Sequence, residues 1–138
     1  MEATSGNSLL KLTDSSVTNS KTDASGGFIY AKGTTAKLFM ETNAKLTAIG
    51  AKGAGGVALL DGSTNSEIEL TDMASISSGE STTDSGGIAF FKGVNNYLKI
   101  RNGAAVSQCG SKKDGGCFYF DGTNINEVYM MGGAMGDA

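Results

Sequence analysis

The chain has 138 residues, of which 21 are Gly and none is Pro, Trp or His; 39% are apolar, and eleven basic against fourteen acidic side chains leave a formal charge of -3. Without His no Ser-His-Asp or Cys-His arrangement and no imidazole metal site can form, and with charges of both signs interspersed there is no footprint for nucleic acid. No stretch approaches the roughly 20 apolar residues of a membrane span, so neither nucleic-acid binding nor membrane insertion is expected.

From the N-terminus, the first patterned element is Leu10-Lys11-Leu12, apolar at its outer positions in the period-two manner of a half-buried strand. The same element returns as Leu38-Phe39-Met40, Ile68-Glu69-Leu70, Leu98-Lys99-Ile100 and Val128-Tyr129-Met130. Two residues beyond each copy stands Asp14, Thr42, Asp72, Asn102 or Gly132, mostly residue types that suit a tight bend with left-handed backbone. Four residues beyond stands a small residue, Ser16, Ala44, Ala74, Ala104 or Ala134. In three copies an apolar partner follows, Leu46, Ile76 and Val106, which predicts a third brief strand.

The next stretches are less regular. Asn19 to Ser25, Gly50 to Ala54, Ser77 to Ser85 and Gly110 to Asp114 collect the length variation and read as projecting loops. Each leads into two glycines, four mostly apolar residues, a charge and a further glycine: Gly26 to Gly33, Gly55 to Gly62, Gly86 to Gly93 and Gly115 to Gly122. The second glycines of these four motifs are 29, 31 and 29 residues apart. A near-constant period of this size marks a stacked repeat.

Three short strands and three turns in about 29 residues predict an all-β fold, a single-stranded parallel β-helix in which equivalent residues of successive coils stack in ladders about 4.8 Å apart. A right-handed coil is expected, the hand that strand-crossover-strand connections take in nearly all parallel sheets. Residues 1–138 then form one segment of about four and a half coils, expected to be part of a longer array because both ends fall inside a coil.

The Gly-Gly motif followed by small and aromatic apolar residues resembles the Gly-Gly-Ala-Ile motif of polymorphic outer-membrane adhesin passengers and, more broadly, the right-handed β-helix repeats of protist surface proteins. The companion Phe-x-x-Asn element of the bacterial family is absent. The resemblance, which spans residues 8 to 134, implies a surface-exposed, non-enzymatic passenger or filament.

The Gly-Gly strand is apolar on both faces, as in Phe28-Ile29-Tyr30-Ala31, where a strand buried on one side would alternate. If Lys32, Asp61, Lys92 and Asp121 point outward, then Ile29, Ala31, Ala58, Leu60, Ala89, Phe91, Phe118 and Phe120 point in. The outer surface then carries Phe28, Tyr30, Val57, Leu59, Ile88, Phe90 and Tyr119 as one apolar stripe. A patch of that size marks an interface, here for self-association with neighbouring subunits; the bland alternative is cover by a loop or terminal segment. The alternating charges, and Glu69 with Lys99 on the second strand, read either as register selection or as ordinary surface charge.

Cys109 and Cys117 bracket the loop Gly110 to Gly116. They would staple it in an oxidising compartment, while Cys117, in the ladder position of Phe28, Val57 and Ile88, equally fits a small apolar role. No cofactor and no catalysis are expected: a glycan-cleaving β-helix needs clustered carboxylates, whereas Asp61 and Asp121 stand two rungs apart with Lys92 between. The function expected is a structural or adhesive element of an extracellular filament or cell surface. The alternative is a carbohydrate-binding or pectin-lyase-like polysaccharide-processing β-helix, with surface glycans as partners.

Overall fold

The first glycine of each Gly-Gly pair turns the chain into a strand. Gly26, Gly55, Gly86 and Gly115 all have φ between 61° and 70°, and a Cβ on any of them would strike the carbonyl of the residue three positions on. Their partners Gly27, Gly56 and Gly87 are tight for another reason: a Cβ there would run into backbone carbonyls of the next coil, so these glycines let successive coils approach. Beyond each pair the chain enters a parallel strand. The computed structural model describes residues 2–3, 6–33, 35–121 and 126–136.

Among the described residues, four parallel sheets line the solenoid, which makes about four turns. The first stacks Glu2–Ala3, Ile29–Lys32, Ala58–Thr64, Ala89–Val94 and Phe118–Asp121. The second stacks Asn7–Thr13, Thr35–Glu41, Glu67–Leu70, Tyr97–Arg101 and Glu127–Met131. The third holds Ser16–Thr18, Lys45–Thr47, Ser75–Ser77, Ala105–Ser107 and Ala134–Met135. The fourth, of two-residue strands, holds Lys21–Thr22, Gly50–Ala51, Glu80–Ser81 and Gly110–Ser111. A coil therefore has four strands, not the three expected; the fourth lies in the stretches read as projecting loops, too short and polar to show a period. The first coil also reaches further back than expected, because Glu2–Ala3 pairs with Tyr30 and Ala31.

Register follows the apolar ladders: Leu10, Leu38, Ile68, Leu98 and Val128 stand in one column, Ile29, Ala58, Ala89 and Phe118 in another. Asp14, Thr42, Asp72, Asn102 and Gly132 all adopt left-handed backbone, φ 46° to 65°, as the bend requires. In the three middle coils Asn43, Met73 and Gly103 are left-handed as well. The first and last coils lack this second residue, so their bends are one residue shorter. That corrects two positions: Ser16 and Ala134 face Lys45 and Ala105 in the strand, and the column of Ala44, Ala74 and Ala104 continues through Ser15 and Gly133.

The core is a stack of apolar rungs. Phe91 is fully buried and stacks on Phe120 with ring centroids 4.6 Å apart. A polar column runs beside it at the entry to the second sheet: the backbone N–H of Ala36 donates to Ser66 Oγ, that of Ser66 to Asn96 Oδ1, and that of Asn96 to Asn126 Oδ1. Ser66 and Asn96 are completely buried, so each side chain satisfies a corner N–H that no water reaches.

Candidate functional site

The apolar stripe expected on the outer face of the first sheet is divided by the structure. Ile29, Ala31, Ala58, Leu60, Ala89 and Phe91 point inward as read; Phe118 and Phe120 pack on the same core but are only half-buried. Val57 and Ile88, however, are 0% exposed and belong to the core, and half-buried Phe28 packs on it. The expectation that these three face outward is corrected. The cause is the corner: the N–H groups of Val57 and Ala58 both donate to the carbonyl of Ile88, so two successive residues turn inward before alternation begins.

The remaining four residues stay outside the coil. Leu59 and Phe90 form a small cluster with Ala54, Tyr30 and Tyr119 packed against it, and the Phe90 and Tyr119 rings lie 4.9 Å apart. Leu59 is 8% and Phe90 9% exposed, sealed by Ala54 from the preceding loop and by the flanking tyrosines. Ala54 and the two tyrosines thus leave little of Leu59 and Phe90 exposed. Half-buried Tyr30 and Tyr119 are what remains accessible.

Cys109 and Cys117 are joined by a disulfide, Cα to Cα 5.0 Å, and both are buried. Their columns explain the bond. Cys109 follows Ser20, Ile49 and Gly79 up one corner of the coil, and Cys117 follows Phe28, Val57 and Ile88 up the corner beside it. In the third coil Gly79 leaves the room that the Ile88 side chain fills. The equivalent pairs are thus Ser with Phe, Ile with Val and Gly with Ile, until the fourth coil replaces packing by a covalent link.

A second surface, of which the sequence singled out only Glu69 and Lys99, is the outer face of the second sheet. Glu67 accepts from Lys99 and Lys37, the latter at 3.3 Å, and Arg101 donates to nearly buried Glu69. Lys37 stands directly across from Glu67, whereas the Glu67-Lys99 and Glu69-Arg101 pairs run diagonally across rungs, so Glu69 and Lys99, although aligned, are not each other's partners. Burial pushes the Glu67 carboxyl up, but hydrogen bonds and charge from Lys99 and Lys37 outweigh it and hold the group below its ordinary value. Lys11 pairs with Glu41 at 2.7 Å. In the first sheet Lys92 pairs with Asp61 at 3.2 Å. Between the charges lie Phe39, Tyr97 and Tyr129; Lys11 sits over the Phe39 ring, Lys99 over that of Tyr97, and the Tyr129 hydroxyl donates to Glu127, which raises its pKa. Alternation of Lys, Glu and Tyr at the middle positions was the available signal.

The third surface is the last coil. Val128 and Met130 occupy columns whose earlier members, Leu98 and Ile100, are fully buried, yet they are 51% and 44% exposed. Met131 and Met135 stand exposed beside them. Among the described residues no group of His, Cys, Asp or Glu is placed to hold a metal ion. No protein-family model matches the chain, and no curated protein and no solved structure shows significant similarity to it.

Proposed function

We propose that the chain is a structural element of an extracellular or cell-surface assembly, of the kind its resemblance to Gly-Gly-Ala-Ile passengers implies, and that it works by associating with further copies. The observation that carries this reading is where the polar chemistry goes. Ion pairs on the second sheet, the Ser66-Asn96-Asn126 column and the left-handed corners all serve contacts between one coil and the next, which is the chemistry of a scaffold. The buried disulfide supports an oxidising compartment. Lateral association through the first sheet falls to Tyr30 and Tyr119.

Two measurements test the proposal. Electron microscopy of the native material should show a multi-copy particle or filament, and the masses with and without reductant should differ by two hydrogen atoms, those gained when the disulfide is reduced to two thiols. Solitary monomers reject the assembly; two freely alkylated thiols in never-reduced protein reject the extracellular placement.

A second reading, binding to surface glycans, is favoured by one observation: Tyr97 and Tyr129 stand on the outer face of the second sheet beside Glu67, Lys99 and Arg101, rings for stacking on sugar faces next to groups that hydrogen-bond hydroxyls. Retention on immobilised polysaccharide that Tyr97→Ala abolishes would support it, and passage without retention would exclude it.

A further inference from the structure

The two outermost coils match each other in four respects. The bend between second and third sheets advances four positions from Thr13 to Val17 and from Met131 to Met135, but five in each coil between, from Glu41 to Leu46, Thr71 to Ile76 and Arg101 to Val106. The short coils therefore sit out of step with their own neighbours at this corner and would be in step with one another. The apolar columns also continue: Leu10, Leu12 and Val17, partly buried, belong to the columns in which Val128, Met130 and Met135 stand exposed.

The polar column continues as well. Each corner N–H donates to the side-chain oxygen of the next coil, Ala36 to Ser66, Ser66 to Asn96, Asn96 to Asn126, and Ser8 occupies this column in the first coil. A first coil laid on the last would offer Ser8 Oγ to the N–H of Asn126. The charge ladder fits in the same register. Glu67 pairs with Lys99, two positions along in the following coil, and Glu69 with Arg101 in the same relation. The residue in that relation to Glu127 would be Lys11 of the first coil.

We propose that the first coil of one copy stacks in register on the last coil of another, so that the solenoid extends head to tail. This rests on the proposed self-association and names its surface, the coil end instead of the Tyr30-Tyr119 flank. Both partners use different faces, so the contact does not close on itself and yields open chains. It would cover Val128, Met130 and Met135 and continue the ladders of the second and third sheets from one copy into the next.

Charge reversal provides the test, on the 138-residue chain with its disulfide intact, by sedimentation over a range of concentrations and by scattering for particle width. Wild type should grow in length at constant width. Lys11→Glu and Glu127→Lys should each raise the dissociation constant roughly 3- to 10-fold, since each sets like charges against one another. An equal mixture of the two variants should recover assembly, because every junction in a chain that alternates the two joins opposite charges, and that rescue separates a contact from a folding defect. Inserting one Asn after Asp14 should also weaken assembly while leaving the far-ultraviolet spectrum unchanged. If the chain associates but neither reversal matters while Tyr30→Ser with Tyr119→Ser disperses it, the head-to-tail stack is wrong and lateral association stands. A chain that stays monomeric at every concentration overturns both.

Discussion

At the scale of residues, the second glycine of each pair is the least replaceable position in the coil. A Cβ on Gly56 would meet the carbonyl oxygens of Gly87 and Glu80, one from the following coil's corner and one from its short fourth strand, and neither can move without opening the ladder. We expect Gly56→Ala to lower unfolding free energy by on the order of 3 kcal/mol in urea titration, well above the cost of an ordinary surface substitution. Gly53→Ala, where a Cβ meets chiefly the Ser25 hydroxyl of a neighbouring loop, should cost less. The glycine pairs were legible because they recur; the reason for each member was not, since one answers to a backbone angle and the other to a carbonyl some 30 residues away. Val57 and Ile88 were misplaced for the same reason. Period-two reasoning assumes an unbroken strand, and the corner inverts one residue before the strand begins.

At the scale of elements, the corner columns make a trade between size and covalency. Closing the eight-residue separation of Cys109 and Cys117 should stabilise the fold by about 2 to 3 kcal/mol, and reduction should remove that increment. Transplanting the third coil's solution, Cys109→Gly with Cys117→Ile, should give a chain whose melting temperature no longer responds to reductant and which exceeds Cys109→Ala with Cys117→Ala. Equal melting temperatures for the two double variants would show that the columns do not pack as pairs. The fourth sheet went unread in the sequence because Lys21-Thr22, Gly50-Ala51, Glu80-Ser81 and Gly110-Ser111 share no polarity or size, only backbone register. The second sheet was read in its true register, because its two inward residues recur in every coil. Its ion pairs add a pH dependence. Glu67 titrates below its ordinary value of 4.5 in the folded chain, so the stability it contributes is complete above that pH and fades as pH falls through the lower folded-state value. Glu67→Gln should flatten this part of the acid-unfolding profile; an unchanged profile would assign it to other carboxylates.

At the scale of the whole molecule, each coil touches only the coils beside it, so the effect of a break depends on where it falls. Phe91→Asp puts an unpaired charge into a fully buried site between two intact neighbours and should abolish the cooperative transition. Leu12→Asp, in the partly buried first coil, should instead fray that coil and leave the remainder to melt as before, a difference that hydrogen exchange resolves coil by coil. Equal loss of protection along the chain in both variants would mean that the solenoid melts as one unit. The stacking of this architecture was accessible from the 29-residue period, whereas the bend lengths that set the end coils apart were hidden by the good alignment of the strands on either side.

The registers carry one more consequence, and it concerns time. The strand registers join residues 28 to 31 positions apart, so apart from the turns the chain has few local contacts with which to begin. The first two coils must close loops of that length before any hydrogen bond rewards them, and such closure makes a slow, improbable nucleus. Once two coils exist, each further one is laid on a finished template. A preformed open coil end would serve the same purpose for a newly made chain, so trace amounts of folded protein should shorten the lag of refolding.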